Sequence, residues 1–120
     1  MEREEFKART KQFALRIIRL SEKLQKIGGS ARILSKQLLR SGTSVGANYR
    51  AACIAKSSND FLNKLKIAEE EADETVYWLE LLIDSQLLPG ERLHDLHDEA
   101  RQLTAMLTAS IKTTRLNIGK

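Results

Sequence analysis

Apolar residues return along the first quarter of the chain at Phe6, Phe13, Ile17, Leu20, Leu24 and Ile27, at intervals of 7, 4, 3, 4 and 3. On a helix those intervals fall on one stripe, so the pattern predicts a helix over residues 4–27 with a single buried face. Gly28-Gly29 then stops it, because glycine adopts the left-handed geometry of a helix C-cap without strain. Ser30 can cap the helix that follows. That second helix, over 31–55, has Leu34, Leu38, Ser41, Val45, Asn48 and Ala52 on its seam, small and polar in the middle. Gly42, Ser44, Gly46, Ala47 and Ala51 leave little side-chain bulk, which lets a neighbouring helix come close. Each glycine also weakens the helix by about 1 kcal/mol relative to alanine.

Ser57, Ser58 and Asn59 interrupt the pattern, and Ser57 with Asp60 has the spacing of a capping box. A third helix over 59–85 carries the most regular seam of all: Phe61, Leu65, Ala68, Ala72, Thr75, Leu79 and Leu82. Pro89-Gly90 marks the last turn. Leu93, Leu96, Ala100, Leu103, Leu107, Ser110 and Thr114 line a fourth helix over 91–114. Long helices with short connections favour antiparallel neighbours. The expected architecture is therefore all-α, one domain over 1–120 folded as an up-down-up-down four-helix bundle.

Composition narrows the function classes. A chain of 120 residues with one proline and no alternating β-branched runs leaves little room for strands. The lone Cys53 cannot form an internal disulfide, and neither a secretory signal nor an apolar run of membrane-spanning length is visible, so a cytoplasmic, non-membrane protein is expected. Catalytic signatures are missing. Glu91 and His94 form one Glu-x-x-His unit, but a di-metal site needs a second unit and further inward glutamates. Both residues also project away from the Leu93/Leu96 seam, and His97 alone is not a metal site. No Gly-rich phosphate loop or nucleophile elbow is present. No enzyme activity, metal or cofactor is expected.

Charge changes the picture more. The net charge of +4 divides into 15 basic against 5 acidic residues over 1–66, and 5 against 11 over 67–120. In the first helix Arg9, Arg16, Arg19, Lys23 and Lys26 form a stripe beside the apolar seam. In the second, Lys36, Arg40 and Arg50 share the face opposite the buried one. Such stripes can neutralise the phosphates of RNA or DNA. Equally, they can pair with the acidic side of the third helix, where Glu69, Glu70, Glu71, Asp73 and Glu74 cluster. Aromatic residues for base stacking are scarce. Trp78 and Leu81 lie off the third helix's seam, which suggests a second buried contact and hence a homo-oligomer interface. Asn48, on the seam, is expected to fix helix register through buried hydrogen bonds.

One segment also carries a family resemblance. Arg40-Ser41-Gly42-Thr43-Ser44-Val45-Gly46-Ala47-Asn48-Tyr49-Arg50-Ala51-Ala52, then Ser57-Ser58-Asn59-Asp60-Phe61-Leu62 and Ile67-Ala68-Glu69-Glu70-Glu71-Ala72-Asp73-Glu74-Thr75, resemble the bacterial four-helix-bundle proteins encoded in intervening sequences of 23S ribosomal RNA genes. Relatives of that family include the accessory variability protein of diversity-generating retroelements. The resemblance spans nearly the whole chain. It implies a four-helix bundle, a homopentameric barrel, a basic surface suited to nucleic acid and, in the retroelement branch, a reverse transcriptase as partner. Arg40, Ser41, Ser44 and Asn48 match the signature, whereas Ala51 stands where many members carry glutamate. No catalytic residue is implied. The expected function is nucleic-acid binding through the basic faces of the first two helices, with a protein-interaction scaffold as the alternative.

Overall fold

The computed structural model describes residues 1–119, apart from the side chain of Arg92, as four helices: α1 (Arg3–Ile27), α2 (Gly29–Cys53), α3 (Ser58–Ser85) and α4 (Glu91–Ile118). Three of the four lie within two residues of the expected bounds at both ends, and α4 runs four residues further. The turn between α1 and α2 is made by glycine. Gly28 (φ 80°) and Gly29 (φ 57°) both take positive φ, which strains any residue bearing a Cβ. The start of α3 is built as the sequence indicates: the Ser57 hydroxyl accepts from the Asp60 amide at 3.0 Å. Asp60 returns the bond to the amide of Lys56, at 3.2 Å, rather than to that of Ser57. At α1, the Glu2 carboxylate accepts from the amides of Glu4 and Glu5. Those bonds hold Glu2 below the usual carboxylate range.

Contacts across the helices set the direction of each. Phe6 meets Tyr49, Thr10 lies against Gly46, Ile17 against Gly42, and Ser21 bonds to Ser35. As one number rises its partner's falls, so α1 and α2 run antiparallel. Ser41 on Thr75 and Arg40 on Glu71 and Glu74 join α2 to α3. His97 on Glu80 and Thr108 on Glu69 give the antiparallel pairing of α3 with α4. The bundle measures 51 × 21 × 20 Å. Backbones pack closely from α1 to α2, α2 to α3 and α3 to α4, but α1 and α4 approach each other over little of their length.

Burial follows the predicted stripes with instructive exceptions. On α3, Leu65, Ala68, Ala72, Thr75, Leu79 and Leu82 are all buried, with Phe61 half-buried at the end beneath the Arg3 guanidinium. On α1, Thr10 and Ser21 join the core, Leu20 is half-buried, and Ile27 is exposed. On α4, Ile111 is buried and Ser110 and Thr114 sit at the edge, because a straight helix drifts off a strict heptad over seven turns. The largest departure is on α2. Tyr49 is buried and packs edge-on against Phe6 at 4.6 Å between ring centres. Asn48 is only half-buried, and its amide donates to the Ser44 carbonyl one turn back at 2.9 Å. The expected buried asparagine is therefore corrected: α2 is held between α1 and α3, so its buried stripe is wide enough to take Ser35, Gly42 and Tyr49.

Hydroxyls within the core are satisfied locally. Thr75 donates either to Ser41 Oγ or to the Glu71 carbonyl, both at 2.8 Å, and the Ser41 hydroxyl lies 3.5 Å from the Leu38 carbonyl. Among the described residues no buried side-chain polar atom lacks a partner. Because each hydroxyl retains a carbonyl, Ser41→Ala and Thr75→Val should each destabilise by about 1 kcal/mol. The double variant should lose less than the sum of the two, read from urea midpoints. Gly42 behaves differently. A Cβ there would come within 2.8 and 2.9 Å of Ile17 Cγ1 and Cγ2. Gly42→Ala therefore lowers stability by about 1 kcal/mol despite its better helix propensity, and Gly42→Val by about 3 kcal/mol, measurable by thermal melting.

Candidate nucleic-acid interface

Eight basic residues were singled out from the sequence, and the structure divides them. Arg9 reaches from α1 to α4. Its Nε and Nη2 donate to the two oxygens of Glu99 at 2.9 and 2.7 Å, and Nη2 also reaches Gln102 Oε1 at 2.7 Å. Arg40 spans α2 to α3, where Nη1 lies 3.1 Å from Glu71 and Nη2 is paired with Glu74. Both guanidinium groups are thus engaged within the chain, so the two halves of opposite charge do meet inside the bundle. Glu74 also accepts from the Trp78 indole at 3.2 Å. Trp78 is half-buried against the core edge, with the exposed Tyr77 ring beside it at 5.2 Å, and Leu81 is half-buried.

Arg16, Arg19, Lys23 and Lys26 share a different setting. All four line one groove of about 470 Å³ between the C-terminal half of α1 and the N-terminal half of α4. Its floor is Leu20 of α1 with Leu93 and Leu96 of α4, and Glu22 and Asp95 add carboxylates to its walls. With a rise of about 1.5 Å per residue, successive cations stand about 4.5, 6 and 4.5 Å apart along the axis. Among the described side chains, none of the four is held in an ion pair. The sequence indicated the stripe, but the leucine floor depends on α4 and was not legible from α1.

The remaining cations are dispersed. Lys36 is exposed on α2. Arg50 lines a shallow second groove between α1 and α2 with Lys7 and Lys11, over a bed of Ala8, Ala14, Gly46 and Ala47. Lys7 and Lys11 were not among the sequence candidates, since they lie off the α1 stripe, and only the position of α2 brings them beside Arg50. Of the signature residues, Ser41 is buried against Thr75, Ser44 bonds to the Arg40 carbonyl, and Asn48 bonds to Ser44. They act within α2 and its contact with α3. Burial, with the Cys53 thiol nearby, pushes the Tyr49 hydroxyl up to about 12.

The Glu-x-x-His unit lies on the exposed face of α4. Glu91 and His94 are exposed, and His97 bonds to Glu80 at 3.0 Å rather than to a companion ligand. Among the described residues, no three His, Cys, Asp or Glu side chains converge on a point where a metal could sit, and no helix is long and apolar enough to cross a membrane.

Fold and site together define a four-helix bundle with an open, basic groove along one edge. The family model described as 23S rRNA-intervening sequence protein matches residues 3–109, and the chain belongs to that family. A crystal structure of a protein of unknown function from the S23 ribosomal protein family of Bacteroides thetaiotaomicron is 40% identical, with a TM-score of 0.85. The match covers 93% of this chain and 99% of that one. No curated protein matches the sequence.

The Arg9–Glu99 bridge generates a pH dependence. Hydrogen bonds from Arg9 hold Glu99 below the usual carboxylate range against the opposing effect of burial, and the charges of Arg9 and Arg16 add to the pull. A carboxyl with a lowered folded pKa stabilises fully above its unfolded value of about 4.3, and loses that contribution as pH falls through the folded value. Glu99→Gln should therefore cost about 1 kcal/mol at neutral pH, discounted for partial exposure. The gap between variant and wild type should shrink steadily below about pH 4, followed by urea titration at several pH values.

Proposed function

We propose that the protein binds nucleic acid, RNA or DNA, through the cations of the α1–α4 groove. The observation that carries this reading is the row of Arg16, Arg19, Lys23 and Lys26 along one open groove, free of intrachain ion pairs among the described residues. A row of cations at helical spacing neutralises successive phosphates and releases their counterions, which gives affinity without sequence specificity. Arg9 and Arg40 contribute less, because each would have to leave its carboxylate to reach a phosphate. Lys11 and Arg50 extend the basic surface onto the α1–α2 face, where Lys7 is paired with Glu4. The action is binding rather than catalysis, in the cytoplasm.

Assembly into a homo-oligomer is the second part of the reading. It is favoured by Tyr77, an aromatic left about half exposed beside the half-buried Trp78 and Leu81. Large apolar side chains grouped on one helix face are characteristic of buried protein contacts. Analytical ultracentrifugation at micromolar concentration should show a species larger than a monomer, and Tyr77→Glu should shift it towards monomer. A wild-type monomer under those conditions overturns the assembly.

The binding reading is tested by Arg16→Gln, Arg19→Gln and Lys23→Gln combined, in groups whose loss leaves the core untouched. Fluorescence anisotropy with labelled RNA should show affinity reduced at least tenfold at low salt. The slope of log K against log salt should fall by about 2, since each lost phosphate contact removes about 0.7 to 0.9. An unchanged slope removes the groove from the interface.

A further inference from the structure

We propose that the α1–α4 groove selects single-stranded over double-stranded nucleic acid, with phosphates along the α1 cations and an unstacked base laid on the leucine floor. This narrows the nucleic-acid reading above and rests on it. Three features of the groove lead there. The first is its concavity. It is a cleft along one edge of a bundle only 21 × 20 Å in cross-section, so its mouth is a fraction of that breadth. A duplex, a rod broader than either its major groove of about 12 Å or its minor groove of about 6 Å, can only lie across the rim of such a cleft. A single strand is slender enough to follow it.

The second feature is the floor. Leu20, half-buried, offers apolar surface beneath the cations, and Leu93 and Leu96, buried behind it, close the base of the groove. A sugar-phosphate backbone gains nothing from that surface, whereas the face of an unstacked base does, as single-strand readers show with their own apolar and aromatic platforms. The third is the presence of carboxylates among the cations. Glu22 and Asp95 repel phosphate, so a site meant for backbone alone would be better without them. A base supplies what they can use, because exocyclic amino groups donate hydrogen bonds to carboxylates, cytosine N4 among them. Cations, apolar floor and acceptors therefore match the three parts of an opened nucleotide strand together, and no part of a closed duplex requires all three. No aromatic side chain lines the groove, so base preference rests on the carboxylates and remains modest.

The test compares three fluorescent DNA 12-mers of one length and label by anisotropy, with matched RNA as a repeat: a mixed-sequence single strand, its duplex, and an abasic strand that keeps the phosphates but lacks bases. The single strand should bind at least tenfold more tightly than either of the others. Leu20→Ser should lower single-strand affinity severalfold, with far-UV circular dichroism confirming the helices. Asp95→Asn, at an exposed position that poses no risk to folding, should narrow the gap between the single strand and the abasic strand. Equal affinity for all three ligands overturns the selectivity while leaving the nucleic-acid reading intact. A selectivity that survives the Arg16, Arg19 and Lys23 replacements overturns the assignment to this groove. If none of the ligands binds, both readings fall, and a protein helix becomes the occupant to seek.

Discussion

The arrangement of the bundle depends on how closely α1 lies against α2, a proximity set by two missing side chains. Gly42 leaves its backbone open to Ile17, and Gly46 does the same for Thr10, whose Oγ would stand 3.1 Å from any Cβ added there. A helix drawn towards one neighbour is drawn away from the other. Because α1 settles onto α2, it does not close the ring against α4, and the two meet mainly through long side chains such as Arg9. Leu20 is left half-buried on the floor of the groove. The small residues of α2, which weaken that helix in isolation, thereby shape the surface on the far side of α1.

The hydroxyls of the core belong to the same economy of space. Thr10, Ser21, Ser35, Ser41 and Thr75 are all buried where helices come close. Each is short enough to fit and each has a hydrogen-bond partner within the chain, four of them a carbonyl no more than one turn back. Satisfied in that way, a buried hydroxyl costs little, and it occupies a volume near that of a methyl group. The α1–α2 and α2–α3 contacts are thus thin and partly polar, while Leu93, Leu96, Leu103 and Leu107 of α4 pack with Leu65, Leu79 and Leu82 of α3 in the leucine-rich part of the core.

How much of this the sequence discloses varies from helix to helix for physical reasons. The seam of α3 was legible residue by residue, because its buried positions keep a strict alternation of three and four residues with leucines at both ends. The seam of α2 was not. With glycine, alanine and serine at most positions, hydropathy barely distinguishes its faces, and Asn48 was placed inside where Tyr49 belongs. Tyrosine carries a large apolar ring behind its hydroxyl, and the ring of Phe6 receives it. The basic stripe of α1 was visible, but which of its members are engaged was not. Arg9 and Arg16 lie one heptad apart on the same helix face, and only the position of Glu99 on α4 separates a structural cross-link from a cation lining a groove.

That separation bears on function. Of the α1 stripe, the one member locked to a carboxylate sits nearest the N-terminus and ties α1 to α4, and the rest line the groove. The α4 carboxylate that lines the groove, Asp95, closes no ion pair with Arg16, Arg19, Lys23 or Lys26 among the described side chains. An opening without cations would be an apolar slot prone to filling by any hydrophobic segment. Cations without an opening would be an ordinary solvated helix face. The two coincide because α1 serves both: the face towards α2 carries Thr10, Ile17 and Ser21 for close packing, and the face towards α4 carries the arginines and lysines. The replacement of packing by charge along one edge of the bundle is what distinguishes this chain from a closed four-helix core.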